Sequence, residues 1–115
     1  MKAYTDLEQS KRLAEILPLE SADMFYRSNS NDVKLMWEHL KDIPLTNACW
    51  GLATLLEVLP NQFGRYTKTL YWFDDAWHCE YVDEDYEAMT NGTSANNPID
   101  ACYKMIILLH ERNLL

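Results

Sequence analysis

The chain has 115 residues, 48% of them apolar and 24% charged, a composition that argues for one globular domain and against disorder. A chain of this size can bury a core large enough to fold without disulfides or metal ions. The formal net charge of −8 argues against direct binding to nucleic-acid phosphates, which needs clustered Lys and Arg.

In chain order, Thr5-Asp6-Leu7-Glu8 reads as a capping box opening a helix from Asp6 to Leu17, which Pro18 stops. Met24-Phe25-Tyr26, within Ser21 to Arg27, predicts a short strand, and Ser28 to Asp32 is a turn signal. Val33 to Leu40 fits either a strand or a helix. The alternation of Val33, Leu35 and Trp37 favours a strand through Trp37, making a hairpin with Met24–Arg27. Ile43-Pro44 ends that element.

A second helix is expected from a cap at Thr46 or Asn47 to Leu59, so apolar on most sides that it should be central to the core. Pro60 and Gly64 bracket a turn. Tyr66–Phe73 and Ala76–Val82 then read as two strands joined at Asp74-Asp75. An even-length turn there pairs Trp72 with Trp77, Leu70 with Cys79 and Lys68 with Tyr81, placing Leu70, Trp72, Trp77, Cys79 and Tyr81 on the core face. Thr69, Tyr71, Phe73, His78, Glu80 and Val82 share the outer face.

An acidic, then polar, loop runs from Asp83 to Asn97. Asn97 and Pro98 suit the cap and first turn of a last helix reaching Arg112. In that helix Ile99, Cys102, Met105, Ile106 and Leu109 form an apolar stripe, and Asp100 and Lys104 are spaced to pair. The predicted order is α-β-β-α-β-β-α: an α+β fold with an antiparallel sheet of two hairpins packed against three helices.

Cys49, Cys79 and Cys102 are odd in number and form no Cys-x-x-Cys pair, the pattern of a reducing compartment. With no apolar leader after Met1 and no stretch long enough to span a bilayer, a cytoplasmic protein is expected. Asn91-Gly92-Thr93 matches a glycosylation sequon but reads more simply as a turn.

Cys49, near the predicted start of a helix, would have a depressed thiol pKa there, with His78 or His39 as base. No flanking residues resemble a nucleophile elbow, however, and a cysteine in an apolar helix is usually a buried hydrophobe. His78, Cys79 and Glu80 cannot converge on one ion, because alternate strand residues face opposite sides. Asp83 to Glu87 lacks the glycine and the closing glutamate of a calcium loop. No catalytic, metal or cofactor site is therefore assigned.

Two surfaces remain. Tyr66, Tyr71, Trp72, Phe73, Trp77 and Tyr81 form an aromatic hairpin, and only one of its faces can pack fully on helices. Eight acids and no Lys or Arg lie between Thr69 and Tyr103, so one third of the chain carries the whole net charge. Solubility alone would explain that charge. Mimicry of nucleic-acid phosphates, or attraction of a basic partner, would explain its segregation.

Three groups of residues carry a resemblance. They are Leu7-Glu8-Gln9-Ser10 through Ser21-Ala22-Asp23-Met24; Ala48-Cys49-Trp50-Gly51-Leu52 with Leu55 to Pro60; and Pro98-Ile99-Asp100-Ala101 with Met105 to Leu109. Together they resemble small uncharacterised proteins of prophages and mobile elements from gut-type, Bacteroides-like bacteria. The resemblance implies a mobile-element setting and no activity, and Cys49 stands where Ala is commoner in that group.

The expected function is that of a non-enzymatic accessory protein acting through protein–protein contact, with a homodimer or a basic protein as partner. The interaction residues are Tyr71, Phe73, His78, Asp83, Glu84, Asp85 and Glu87. The alternatives are an acidic inhibitor of a nucleic-acid enzyme, an immunity or antitoxin-like protein and, more remotely, a cysteine-dependent enzyme.

Overall fold

A computed structural model describes residues 2–26, 33–35, 48–89 and 92–115. Among them run α1 (Leu7–Ala14), a 3-10 turn (Leu19–Ser21), β1 (Met24–Tyr26), β2 (Val33–Leu35), β3 (Ala48–Cys49) and α2 (Leu52–Val58). β4 (Gln62–Phe63), β5 (Tyr66–Phe73), β6 (Ala76–Val82), β7 (Thr93–Ala95) and α3 (Pro98–Glu111) follow. The fold is α+β, as expected. The two expected hairpins lie in separate antiparallel sheets, β2-β1-β3 and β4-β5-β6-β7.

The ambiguous Val33 segment is a strand over its described part and pairs with β1. The turn over 28–32, the continuation to Trp37 and the Ile43-Pro44 break lie outside the described residues.

The capping box forms one residue later than predicted. Asp6 accepts the Gln9 N–H at 2.8 Å, and Gln9 accepts the Asp6 N–H at 3.0 Å. Thr5 is drawn inward instead: it is buried, its hydroxyl accepts the Trp50 N–H at 3.1 Å, and it lies 2.8 Å from Ser10 Oγ. The helix stops at Ala14, three residues early, because the Ile16 and Leu17 N–H groups both turn onto the Leu13 carbonyl. That tightened turn buries Leu17 before Pro18.

The second helix departs further from expectation. Ala48 and Cys49 are strand, and α2 starts only after Gly51. Gly51 has no side chain with which to cap, so Asp23 does so from a distance. Its Oδ1 accepts the Gly51 N–H at 2.9 Å and lies 3.0 Å from the Thr54 hydroxyl. At the other end, Lys68 Nζ donates to the carbonyls of Leu56 and Leu59 and to Asn61 Oδ1. Both charges have the sign that the helix dipole favours. Leu55 and Leu59 are buried, whereas Ala53 and Glu57 are exposed, so α2 is amphipathic and flanks the core.

The central element is α3. Its whole predicted stripe is buried, together with Pro98 and Ala101, against β6, β7 and α2. Asn97 caps it by accepting the Asp100 N–H at 2.8 Å. Asp100 does not pair with Lys104, which donates to the Ser94 carbonyl. It instead accepts from Lys2 at 2.8 Å, Gln9 at 2.7 Å and Asn97 at 2.8 Å, joining the starts of α1 and α3. Burial pushes the Asp100 carboxyl up, but those hydrogen bonds outweigh it and hold the group below the ordinary carboxylate range.

Asp23→Ala leaves the start of α2 uncapped and lowers stability by about 1–2 kcal/mol, measurable as a fall in urea midpoint with an unchanged slope. Because the folded Asp100 pKa is depressed, its contribution is complete above its ordinary value of 3.8 and is lost as pH falls through the folded value. Asp100→Asn should therefore be less stable than the parent at neutral pH. The two melting temperatures should converge as the solution is acidified.

Candidate functional site

The β5–β6 hairpin has the predicted register throughout: Lys68 opposite Tyr81, Leu70 opposite Cys79, Trp72 opposite Trp77. Its turn residues Asp74 and Asp75 have φ of 51° and 58°, the two left-handed positions of a tight hairpin turn. Cys79 and Tyr81 are buried, while Leu70 and Trp77 pack at the edge of the core. Trp72, predicted inside, is 53% exposed; among the described residues the Trp77 ring meets it edge-on, with centroids 5.9 Å apart.

On the outer face, Tyr71 stacks on His78 with ring centroids 5.1 Å apart, and Phe73 leans on the same imidazole at 6.4 Å. The His78 Nε2 lies 3.0 Å from the Phe73 carbonyl, which can only accept, so that nitrogen carries the proton. The Tyr71 hydroxyl donates to Glu80 Oε1, and this hydrogen bond pushes the phenol up to about 12. Glu80 thus stays the acceptor and Tyr71 the donor.

Gly92 makes room for this arrangement. A carbon added there would sit 2.5 Å from Glu80 Cγ, so any side chain would displace the carboxylate. Thr69, Tyr71, Phe73, Glu80, Val82 and Tyr86 line an outer groove of about 470 Å³. Phe73 is 65% exposed on its wall and Tyr86 is 87% exposed.

The acidic residues divide into two kinds. Asp83 is turned inward with its side chain 8% exposed; its Oδ1 accepts the N–H groups of Asp85 and Glu87, and Oδ2 lies 3.5 Å from Arg65 Nε. It organises the loop. Glu84, Asp85 and Glu87 are exposed and line a second hollow with Gln62, Gly64 and Arg65.

Tyr86, which sequence reasoning did not single out, has φ of 62°. A bulky residue is seldom held in that left-handed region, and the exposed Tyr86 side chain offsets little of the strain by packing among the described residues. The one signal for it in the sequence is an aromatic set among four acids.

The structure therefore brings Tyr71, Phe73 and His78 together, adds Glu80 and Tyr86 to them, and separates them in role from Asp83. Cys49 sits in β3, fully buried, and burial together with nearby Asp23 pushes its thiol up to about 12. His39 lies outside the described residues. The hydrogen bond that Cys79 shares with Cys102 across the β6–α3 contact, together with burial, holds the Cys79 thiol high as well. Among the described residues, no group of three or more His, Cys, Asp or Glu is placed to hold a metal ion, and no helix is long and apolar enough to cross a membrane.

Replacing Tyr86 with Gly should relieve the left-handed strain. We expect Tyr86→Gly to raise stability by up to about 1 kcal/mol in chemical denaturation, whereas a ring that packed productively would give a loss.

No protein-family model matches the chain, and no curated protein and no solved structure shows significant similarity to it.

Proposed function

We propose that this chain is a non-enzymatic accessory protein of a phage or mobile element, acting by binding another protein through the outer face of the β5–β6 hairpin. One observation carries the reading: Phe73 and Tyr86, two large rings on one groove, are both mostly exposed, and Tyr86 is held there at a backbone cost. Folding gains nothing from either exposure, whereas a partner that covers the groove would. The mobile-element setting rests on the resemblance of the core segments.

The rival chemistry has less support. A phosphate mimic needs a row of free carboxylates, yet Asp83 is consumed inside its loop and Asp100 inside the Lys2–Gln9–Asn97 network. A cysteine enzyme needs an accessible thiolate, and Cys49 offers a buried, protonated thiol.

The test compares the parent with a Phe73→Asp, Tyr86→Asp double variant of unchanged far-UV spectrum. Each is immobilised in host lysate, and light scattering is run on each purified chain. We expect the parent to retain a protein, or to dimerise, and the variant to do neither. Equal behaviour of the two chains refutes the outer face as the contact surface.

A further inference from the structure

We propose that the outer groove of the β5–β6 hairpin receives an arginine side chain presented by the partner protein. This rests on the contact reading above and names the chemistry of what is bound.

The groove combines two kinds of wall. Tyr71, Phe73 and Tyr86 supply aromatic rings, and Glu80 supplies a half-buried carboxylate among them. Glu80 Oε1 is taken by the Tyr71 hydroxyl; among the described residues nothing bonds to Oε2. A half-buried carboxylate favours a cation, and among the described residues no Lys or Arg side chain is bonded to it. There is no Lys or Arg between Thr69 and Tyr103.

The neighbouring basic residues are committed elsewhere. Lys68 is bound to the end of α2, Arg65 reaches Asp83, and Lys104 reaches the Ser94 carbonyl. A partner can supply the cation that these described residues do not. Glu84, Asp85 and Glu87 extend the negative field beyond Tyr86 and would draw a basic segment toward the groove.

Arginine suits the groove better than lysine does. A guanidinium is planar, weakly hydrated and able to stack on an aromatic ring while it donates to a carboxylate. A lysine ammonium is compact and strongly hydrated, so it loses more on entering. A second copy docking face to face would bring Glu80, Glu84, Asp85 and Glu87 against their own duplicates, an arrangement that like charges oppose.

The probe is a capped tri-arginine peptide, titrated into the labelled full chain and followed by NMR, with tri-lysine and tri-citrulline peptides as controls. Citrulline keeps the shape and removes the charge. We expect saturable shifts at Tyr71, Phe73, Glu80 and Tyr86, weaker binding of tri-lysine, and a loss of about tenfold or more with citrulline.

Glu80→Gln should cost a similar factor, since it keeps an acceptor for Tyr71 but removes the charge. Gly92→Ala, which displaces Glu80 and leaves the rings in place, should weaken binding too. An amide spectrum otherwise like the parent's shows that each variant is folded.

The inference is overturned by equal response to the citrulline peptide, which would mark a merely apolar groove. Shifts confined to residues 84–87 that vanish in about 0.5 M salt would overturn it as diffuse charge attraction, and so would no shift at all. If the peptides fail while Phe73→Asp, Tyr86→Asp still abolishes partner retention, the arginine inference falls and the contact reading stands.

Discussion

The fold hangs on a short helix held at both ends by charges from other elements. Seven residues are too few for α2 to persist by itself, since nucleation outweighs what so short a ladder returns. Asp23 holds its first turn through the Gly51 N–H, and Lys68 holds its last through the Leu56 and Leu59 carbonyls. Asp23 follows the 3-10 turn after α1, and Lys68 lies on β5. The clamp thus ties the N-terminal third to the hairpin sheet. Tyr81, opposite Lys68, strengthens the tie by donating its hydroxyl to the Pro60 carbonyl at 2.6 Å, where the chain leaves α2.

Trp50 is the second fastening, placed one residue before the helix cap. It is buried, exchanges backbone and hydroxyl hydrogen bonds with Thr5, and donates its indole N–H to Ser21 at 2.9 Å. α3 packs against β6 and β7, and on the opposite face of the β5–β6 hairpin Tyr71, Phe73 and Glu80 line the open groove. Gly92 and the Tyr71–Glu80 bond shape that groove.

What could be read from the sequence was whatever local chemistry decides. The Asp74-Asp75 turn fixes strand parity, and parity alone puts Tyr71, Phe73 and His78 outside and Cys79 and Tyr81 inside. Asn97-Pro98 opens α3 for reasons confined to a few residues. Misreadings arose where a distant partner decides. Thr5 is a good cap by type, but the Trp50 backbone claims it and Asp6 takes its place. Cys49 looked helical because its surroundings are apolar, yet pairing with Met24 makes it strand. β7 is made of Thr93, Ser94 and Ala95, without alternation to betray it; the edge of β6 and the Thr93 bond to the Ala101 carbonyl make it a strand. Asp83 could not be told from its acidic neighbours, because its inward turn depends on the Asp85 and Glu87 N–H groups.

The clamp on α2 also sets how the molecule opens. An unclamped seven-residue helix at the border of a core would fray on its own, exchanging its amide hydrogens long before the rest of the domain. Here fraying at the first turn leaves the Asp23 carboxylate without the Gly51 N–H and the Thr54 hydroxyl, and fraying at the last strands a half-buried Lys68 ammonium against the hairpin. Either costs more than the single backbone bond released. This seven-residue helix is therefore expected to open together with α3 and the β5–β6 hairpin. Its amides are then expected to exchange only when that unit comes apart.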